Sequence, residues 1–297
     1  MLTQSLIGDL KYKFRYGNVV VKLIFANIGV FLAVGLLQLF SFLFQTNSFM
    51  EWLISNLEAP ASLSLLMKQP WSVLTYMFLH KGVFHVLFNM LWLYWFGEIF
   101  ILYLGDKKIL PLYLIGGLAG AGLYILAFNV LPVFKPMLES SYMLGASASV
   151  FAIVFGATTL NPDHEMRLLL IGDVKIKYIA LVSLLLGVIN IPMGNPGGNI
   201  AHVGGALSGF LFIKALRSGV DLTSPFRRFF QFLKELFNPS SKMKVTHRSA
   251  QQRSETNHPR SGNEQERVDA ILDKIARSGY DGLTKEEKDF LFHYSKK

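Results

Sequence analysis

Six stretches of this sequence, 23–44, 82–104, 109–132, 142–160, 178–192 and 199–216, hold only two charged side chains between them, Glu98 and Lys214. Few features restrict a fold so tightly. In hydrocarbon every backbone amide and carbonyl must be satisfied inside the protein, and a helix does this within a single segment. The stretches predict six transmembrane helices and hence an all-α membrane protein. Composition agrees, since 52% of the 297 residues are hydrophobic and only 16% are charged. There is no cysteine, which excludes disulfides, thiolate metal sites and a cysteine nucleophile.

Charge then orients the spans. Residues 1–22 carry Lys11, Lys13, Arg15 and Lys22 against Asp9, and form a basic arm ahead of the first span. That span is too long for a signal peptide's apolar core and reads as a retained helix. The 106–108 turn, the 163–177 loop and the tail hold most of the other bases, whereas the segments between alternate spans hold only Lys68, Lys81 and Lys135. The positive-inside rule places both termini in the cytoplasm, as in a multi-pass protein of the cell (inner) membrane. The formal charge of +9 reflects the tail, where 16 of the 29 bases lie from Arg217 onward beside 11 acids without aromatic interleaving. Anionic lipid fits that charge better than nucleic acid does.

In this topology spans two, four and six enter from the outer face. Their first turns carry His85 and Asn89, Ser147, and His202. A hydroxyl and an imidazole in hydrocarbon are expensive, and polar groups from three spans at one depth point to a site. Small-residue runs such as Gly145-Ala146-Ser147-Ala148-Ser149 also serve helix packing, but packing alone does not require the histidines. About 14 residues follow Ser147 and His202 in their helices, about 21 Å of a core about 30 Å thick. The site therefore lies below the outer surface, and water must reach it through a cavity.

Serine becomes a nucleophile when a base removes its proton, and His202 is the base at matching depth. The nearest acid to Ser147 is Glu139, two turns upstream, and span six has none near His202, so a dyad is expected rather than a triad. Ser149 competes, but two helical positions rotate a side chain by about 200°, so only one serine can face His202. Gly145, which permits close approach of a substrate backbone, and the free amides opening span four favour Ser147. His85 and Asn89 share a helix face and can both donate to an oxyanion. Glu98 reads as a packing or hydrogen-bonding residue. No His-Glu-x-x-His motif, aspartate pair at membrane depth or phosphate-binding loop is present.

These residues resemble a family. His80-x4-His85-x3-Asn89, Gly145-x-Ser147 and Ala201-His202-x2-Gly205-x3-Gly209 look like the three signatures of rhomboid intramembrane serine proteases, in the family's order. The resemblance covers roughly residues 20–216 and implies a six-helix rhomboid bundle over 23–216 with a Ser147-His202 dyad and no cofactor or metal. It also implies an oxyanion hole of His85, Asn89 and the Ser147 amide, and packing of span six on span four through Gly205 and Gly209. The 45–70 loop would match the family's membrane-dipping first loop. Departures are visible. Trp71-Ser72 stands where many members have Trp-Arg, Ala148 where many have Gly, Phe151 where some have Tyr, and Ile101 where an acid is common.

Residues 217–264 read as a basic, aromatic juxtamembrane helix at 227–237 followed by a disordered linker from 238. Residues 265–297 read as a small helical element, with Thr284 and Glu287 as a capping box and docking or regulation as its use. The implied activity is cleavage of single-span membrane proteins near the outer face through an acyl-enzyme. Two rivals remain: a rhomboid-like protein that escorts membrane helices without cutting them, and a proton-coupled transporter using His and Glu98.

Overall fold

The structure, a computed structural model, describes residues 2–169, 171–226, 228, 231 and 262–294. The chain divides into two units, Met1–Pro239 and Ser240–Lys297. The first opens with α1 (Leu2–Tyr16) and α2 (Val19–Leu43). Asn18 between them caps α2, its Oδ1 accepting from the Val21 amide at 3.0 Å. Its Nδ2 donates to Glu98 Oε1 at 2.7 Å on α6 (Val83–Leu104), so the one acid of that span is a hydrogen-bond acceptor tying α2 to α6.

A turn from Gly105 (φ +72°) to Lys108 leads to α7 (Ile109–Val130). α8 (Ser147–Leu160), α9 (Ile176–Ile189) and α10 (Pro196–Arg217) complete the unit. By length and apolarity α2, α6, α10 and the segment containing α7 can each cross a membrane, and α8 and α9 are shorter apolar helices. Leu32, Leu36 and Phe40 of α2 and Leu181, Val182 and Leu185 of α9 are exposed, an apolar exterior suited to lipid. The fold is an all-α membrane bundle.

α8 is its core, and small residues put it there. A Cβ on Gly116 or Gly120 of α7 would collide with Ala152 or Ala148 of α8, and one on Gly205 or Gly209 of α10 would strike the carbonyls of Ala148 and Ala152. The backbones thus meet almost directly, as small-xxx-small packing allows. Ala148, Ser149, Ala152, Ile153 and Val154 are fully or almost fully buried in consequence.

The sequence reading places the start of the fourth span at residue 142, and the structure corrects this. The helix starts at Ser147, because Tyr142–Met143 is a strand, β2, paired antiparallel with β1 (Ala59–Pro60) in the register Ala59↔Met143 and Pro60↔Tyr142. Gly145, at φ +128°, then turns the chain into the helix. The 45–70 segment is not plain loop, as it contains α3 (Asn47–Leu57), β1 and α4 (Leu63–Lys68), and the short helix α5 (Ser72–Thr75) follows it. The 163–177 loop is a hairpin of β3 (Glu165–Leu168) and β4 (Gly172–Lys175), with Asp163 paired to Lys175 and Lys177.

The second unit contains α11 (Gly262–Ser278) and α12 (Lys285–Tyr294). Thr284 and Glu287 form a reciprocal cap: the Thr284 amide donates to Glu287 Oε2 at 2.8 Å and the Glu287 amide to Thr284 Oγ1 at 3.4 Å. Lys274 Nζ lies 2.9 Å from the same carboxylate, and this and the Thr284 amide hold the Glu287 pKa below the usual range, the amide first. The expected linker from 238 to 261, and all of the 227–237 segment but Arg228 and Gln231, lie outside the described residues.

Candidate active site

Ser147 is the first residue of α8, so its amide is one of those with no intrahelical acceptor. The turn before it is held from behind. The Gly145 amide donates to the Tyr76 carbonyl at 2.9 Å, and the Tyr76 hydroxyl donates to the Gly117 carbonyl at 2.7 Å. Burial raises the pKa of that phenol, which keeps it protonated and donating.

His202, in the second turn of α10, brings Nε2 to 2.7 Å from Ser147 Oγ. Its ring lies flat on Phe151, one turn beyond Ser147, with centroids 4.4 Å apart and planes within 6°. Trp92 of α6 stacks on Phe151 in turn, at 6.2 Å. Ser149 takes no part. Its hydroxyl is buried, has no hydrogen-bond partner among the described residues and faces α7, where a Cβ on Gly117 would come within 2.7 Å of it.

His85 faces the same turn. A Cβ on Gly145 would stand 2.9 Å from its Cε1 and 3.0 Å from its Nε2, so glycine is required there on steric as well as conformational grounds. The Lys81 amide donates to His85 Nδ1 at 3.4 Å, which assigns the ring proton to Nε2 and makes that nitrogen a donor. Asn89, one turn on, gives an Nδ2 proton to the His85 carbonyl at 2.8 Å and keeps the other.

His80 is buried beneath, its ring edge-on to His85 at 5.0 Å. Burial first, then the neighbouring His85, hold its pKa down to about 4. Trp71 is half-exposed and ties its Nε1 to the Asn56 carbonyl at 2.8 Å, bracing α3. Ser72 is buried, without a partner for its hydroxyl among the described residues. Glu139 accepts from Ser62 Oγ at 3.0 Å.

These groups open into a cavity of about 440 Å³ lined by His85, Asn89, Ser147 and His202 and by apolar side chains including Trp92 and Met143. Among the described residues no carboxylate lines it. A nucleophile, a base and two side-chain donors around one space can perform acyl transfer.

A rhomboid domain model matches residues 67–219, more than half of the chain, and these include every group just described except Asn56 and Ser62. This chain belongs to the rhomboid family. Similar rhomboids include RHOMBOID-like protein 12, mitochondrial, of Arabidopsis thaliana, 27% identical over 211 residues that cover 68% of this chain and 59% of that protein. RHOMBOID-like protein 7 of the same plant is 31% identical over 147 residues, 48% of this chain and 42% of that one. RHOMBOID-like protein 1 is 35% identical over 144 residues, 48% and 33%. The matched part of the chain thus spans between a third and three-fifths of the length of these relatives. Residues 255–297 match a family of unknown function, DUF6576.

Two parts of this rhomboid site escape the sequence reading. Trp92 was findable, since it lies three residues after Asn89 and seven after His85 on one helix face. Tyr76 carries no such signal, because its role depends on which carbonyls the fold brings to its two ends.

Proposed function

We propose that this rhomboid is an intramembrane serine endopeptidase that cuts transmembrane-helix substrates through a Ser147-His202 dyad. The observation that carries the reading is the 2.7 Å approach of His202 Nε2 to Ser147 Oγ inside a cavity. In this reading Ser147 attacks the scissile carbonyl while His202 takes its proton. The oxyanion accepts hydrogen bonds from His85 Nε2, Asn89 Nδ2 and the Ser147 amide. His202 then returns the proton to the leaving amine and activates the water that releases the acyl-enzyme. A helical backbone shields its carbonyls, so the substrate must unwind locally at the cavity. Lys and Arg placement supports entry from the outer face, an inner-membrane location and cytoplasmic termini. In the same reading 1–22 is a cytoplasmic arm, 23–216 the protease domain, 217–264 a juxtamembrane segment and linker, and 265–297 an accessory element that docks a cytoplasmic partner.

The test is cleavage of a single-span reporter by the full chain in liposomes, with fluorophosphonate labelling of the nucleophile. Both should vanish in Ser147→Ala and His202→Ala and persist in Ser149→Ala. A wild-type protein that is folded yet neither cuts nor labels would sink the protease reading in favour of an escort role.

A further inference from the structure

His202 has a second ring nitrogen, and its surroundings differ from those of the dyad side. Nδ1 faces α9 at Gly187, where a Cβ would stand 3.8 Å from it. The same point is 3.7 Å from Asn199 Oδ1, and among the described residues, α9's own nearby backbone and the neighbours Leu186 and Val188 aside, nothing else comes within 4 Å. Asn199 precedes His202 by three residues on α10, so the two side chains share a helix face. The asparagine is not free to turn. Its Nδ2 donates to the Gly194 carbonyl at 3.3 Å, which leaves Oδ1, an acceptor, toward the gap. Gly187 is the reason the gap exists.

We propose that Asn199 is the positioning residue of the dyad: one water in the space left by Gly187 accepts the Nδ1 proton of His202 and donates to Asn199 Oδ1. The inference rests on the protease reading above. Its chemistry is a choice of tautomer. With the proton held at Nδ1, Nε2 keeps its lone pair for the proton of Ser147 Oγ, and the imidazolium formed during attack keeps an acceptor. Such a water has two polar partners, the minimum that retains one. The arrangement replaces the missing carboxylate with a neutral amide. Among the described residues, His85 is the other ionisable side chain whose charge bears on His202, and both line the cavity.

The experiment is a pH–rate profile of reporter cleavage in liposomes for the full chain and four variants, with melting temperature alongside. Gly187→Ala places a methyl at ordinary contact distance from both polar atoms, displacing the water while leaving the Asn199–Gly194 bond intact. Its kcat should fall about tenfold, the worth of one hydrogen bond, with KM and melting temperature unchanged. Gly187→Ser, which puts a hydroxyl in the gap, should recover most of that loss. Asn199→Leu should lose as much as Gly187→Ala. Asn199→Asp should stay active with its acid limb moved to higher pH, because a carboxylate favours the imidazolium. A merely structural asparagine would lower the melting temperature and leave the pH profile in place. Wild-type activity with unchanged kcat in Gly187→Ala and an unshifted profile in Asn199→Asp overturns the inference alone. A folded wild type that neither cuts nor labels overturns the protease reading and this inference together.

Discussion

The imidazole of His202 lies within 6° of coplanar with the ring of Phe151, at a centroid distance of 4.4 Å. The flat contact supports the imidazole in the plane in which Nε2 lies 2.7 Å from Ser147 Oγ. Removing the flat surface should release the base while leaving the nucleophile in place. Phe151→Leu, which keeps bulk but no flat face, should lower kcat up to about tenfold for a lost contact of roughly 0.5–1.5 kcal/mol. Phe151→Tyr should keep wild-type kcat. Steady-state cleavage of a reporter distinguishes the two.

The contact of α10 on α8 predicts a graded packing series. A Cβ at Gly205 or Gly209 strikes backbone carbonyls, which cannot rotate away, whereas a Cβ at Gly122 meets nothing within 4 Å. Gly205→Ala and Gly209→Ala should each cost about 1–3 kcal/mol, read as a fall in melting temperature in detergent. Gly122→Ala should match wild type. An equal response at all three positions would show that the close approach of the two helices is not what limits stability.

Gly145 combines two demands on one residue, a φ of +128° and the absence of a Cβ against His85. Gly145→Ala should strain the turn by roughly 1–3 kcal/mol and push His85 off the cavity. Since His85 is assigned to the oxyanion, the expected signature is a loss in kcat with KM retained. A variant with normal kcat would remove His85 from that role.

His80 predicts a pH dependence of stability. Burial and its neighbour His85 depress its pKa to about 4, below the ordinary histidine value of 6.5. In this direction the unfolded chain binds a proton that the folded chain refuses, so stability is fully present above about pH 6.5 and is lost as pH falls toward 4. Melting temperature followed from pH 7.5 to 4 should therefore drop less steeply in His80→Gln than in wild type. Parallel curves would mean that other groups govern the acid limb.

The six apolar helices were legible because long apolar runs have few alternative folds, though α8 and α9 are shorter than the other four, and their bounds in the structure shift by a few residues. The exception is instructive. Tyr142 and Met143 are as apolar as the helix they precede, so hydropathy cannot show that they pair with Ala59 and Pro60, a contact made by residues about eighty positions away. At the site, helical phase showed that only one of Ser147 and Ser149 can face His202, Gly145 and the free amides opening the helix favoured Ser147, and the structure turns the other hydroxyl toward Gly117. The proton assignment of His85 was not legible. It depends on a hydrogen bond from the Lys81 amide, and a backbone group has no sequence signature. In the second unit the Thr284-x-x-Glu287 pattern was readable because a capping box is local chemistry, made by residues that are already neighbours.

The two-residue ladder between β1 and β2 has a mechanical meaning. It fastens the chain that carries α3 and α4 to a strand ending four residues before Ser147, and Gly145, between that strand and the serine, is bonded to Tyr76. The apolar residues exposed on α3 and α4, Phe49, Trp52, Leu63 and Met67, are therefore the far arm of a lever whose near arm is the turn holding the nucleophile. The ladder and the Gly145–Tyr76 bond join the segment that carries those side chains to the turn before Ser147. Whatever covers those exposed side chains in the assembled membrane therefore rests on a segment that is tied, through two backbone pairings, to the start of α8.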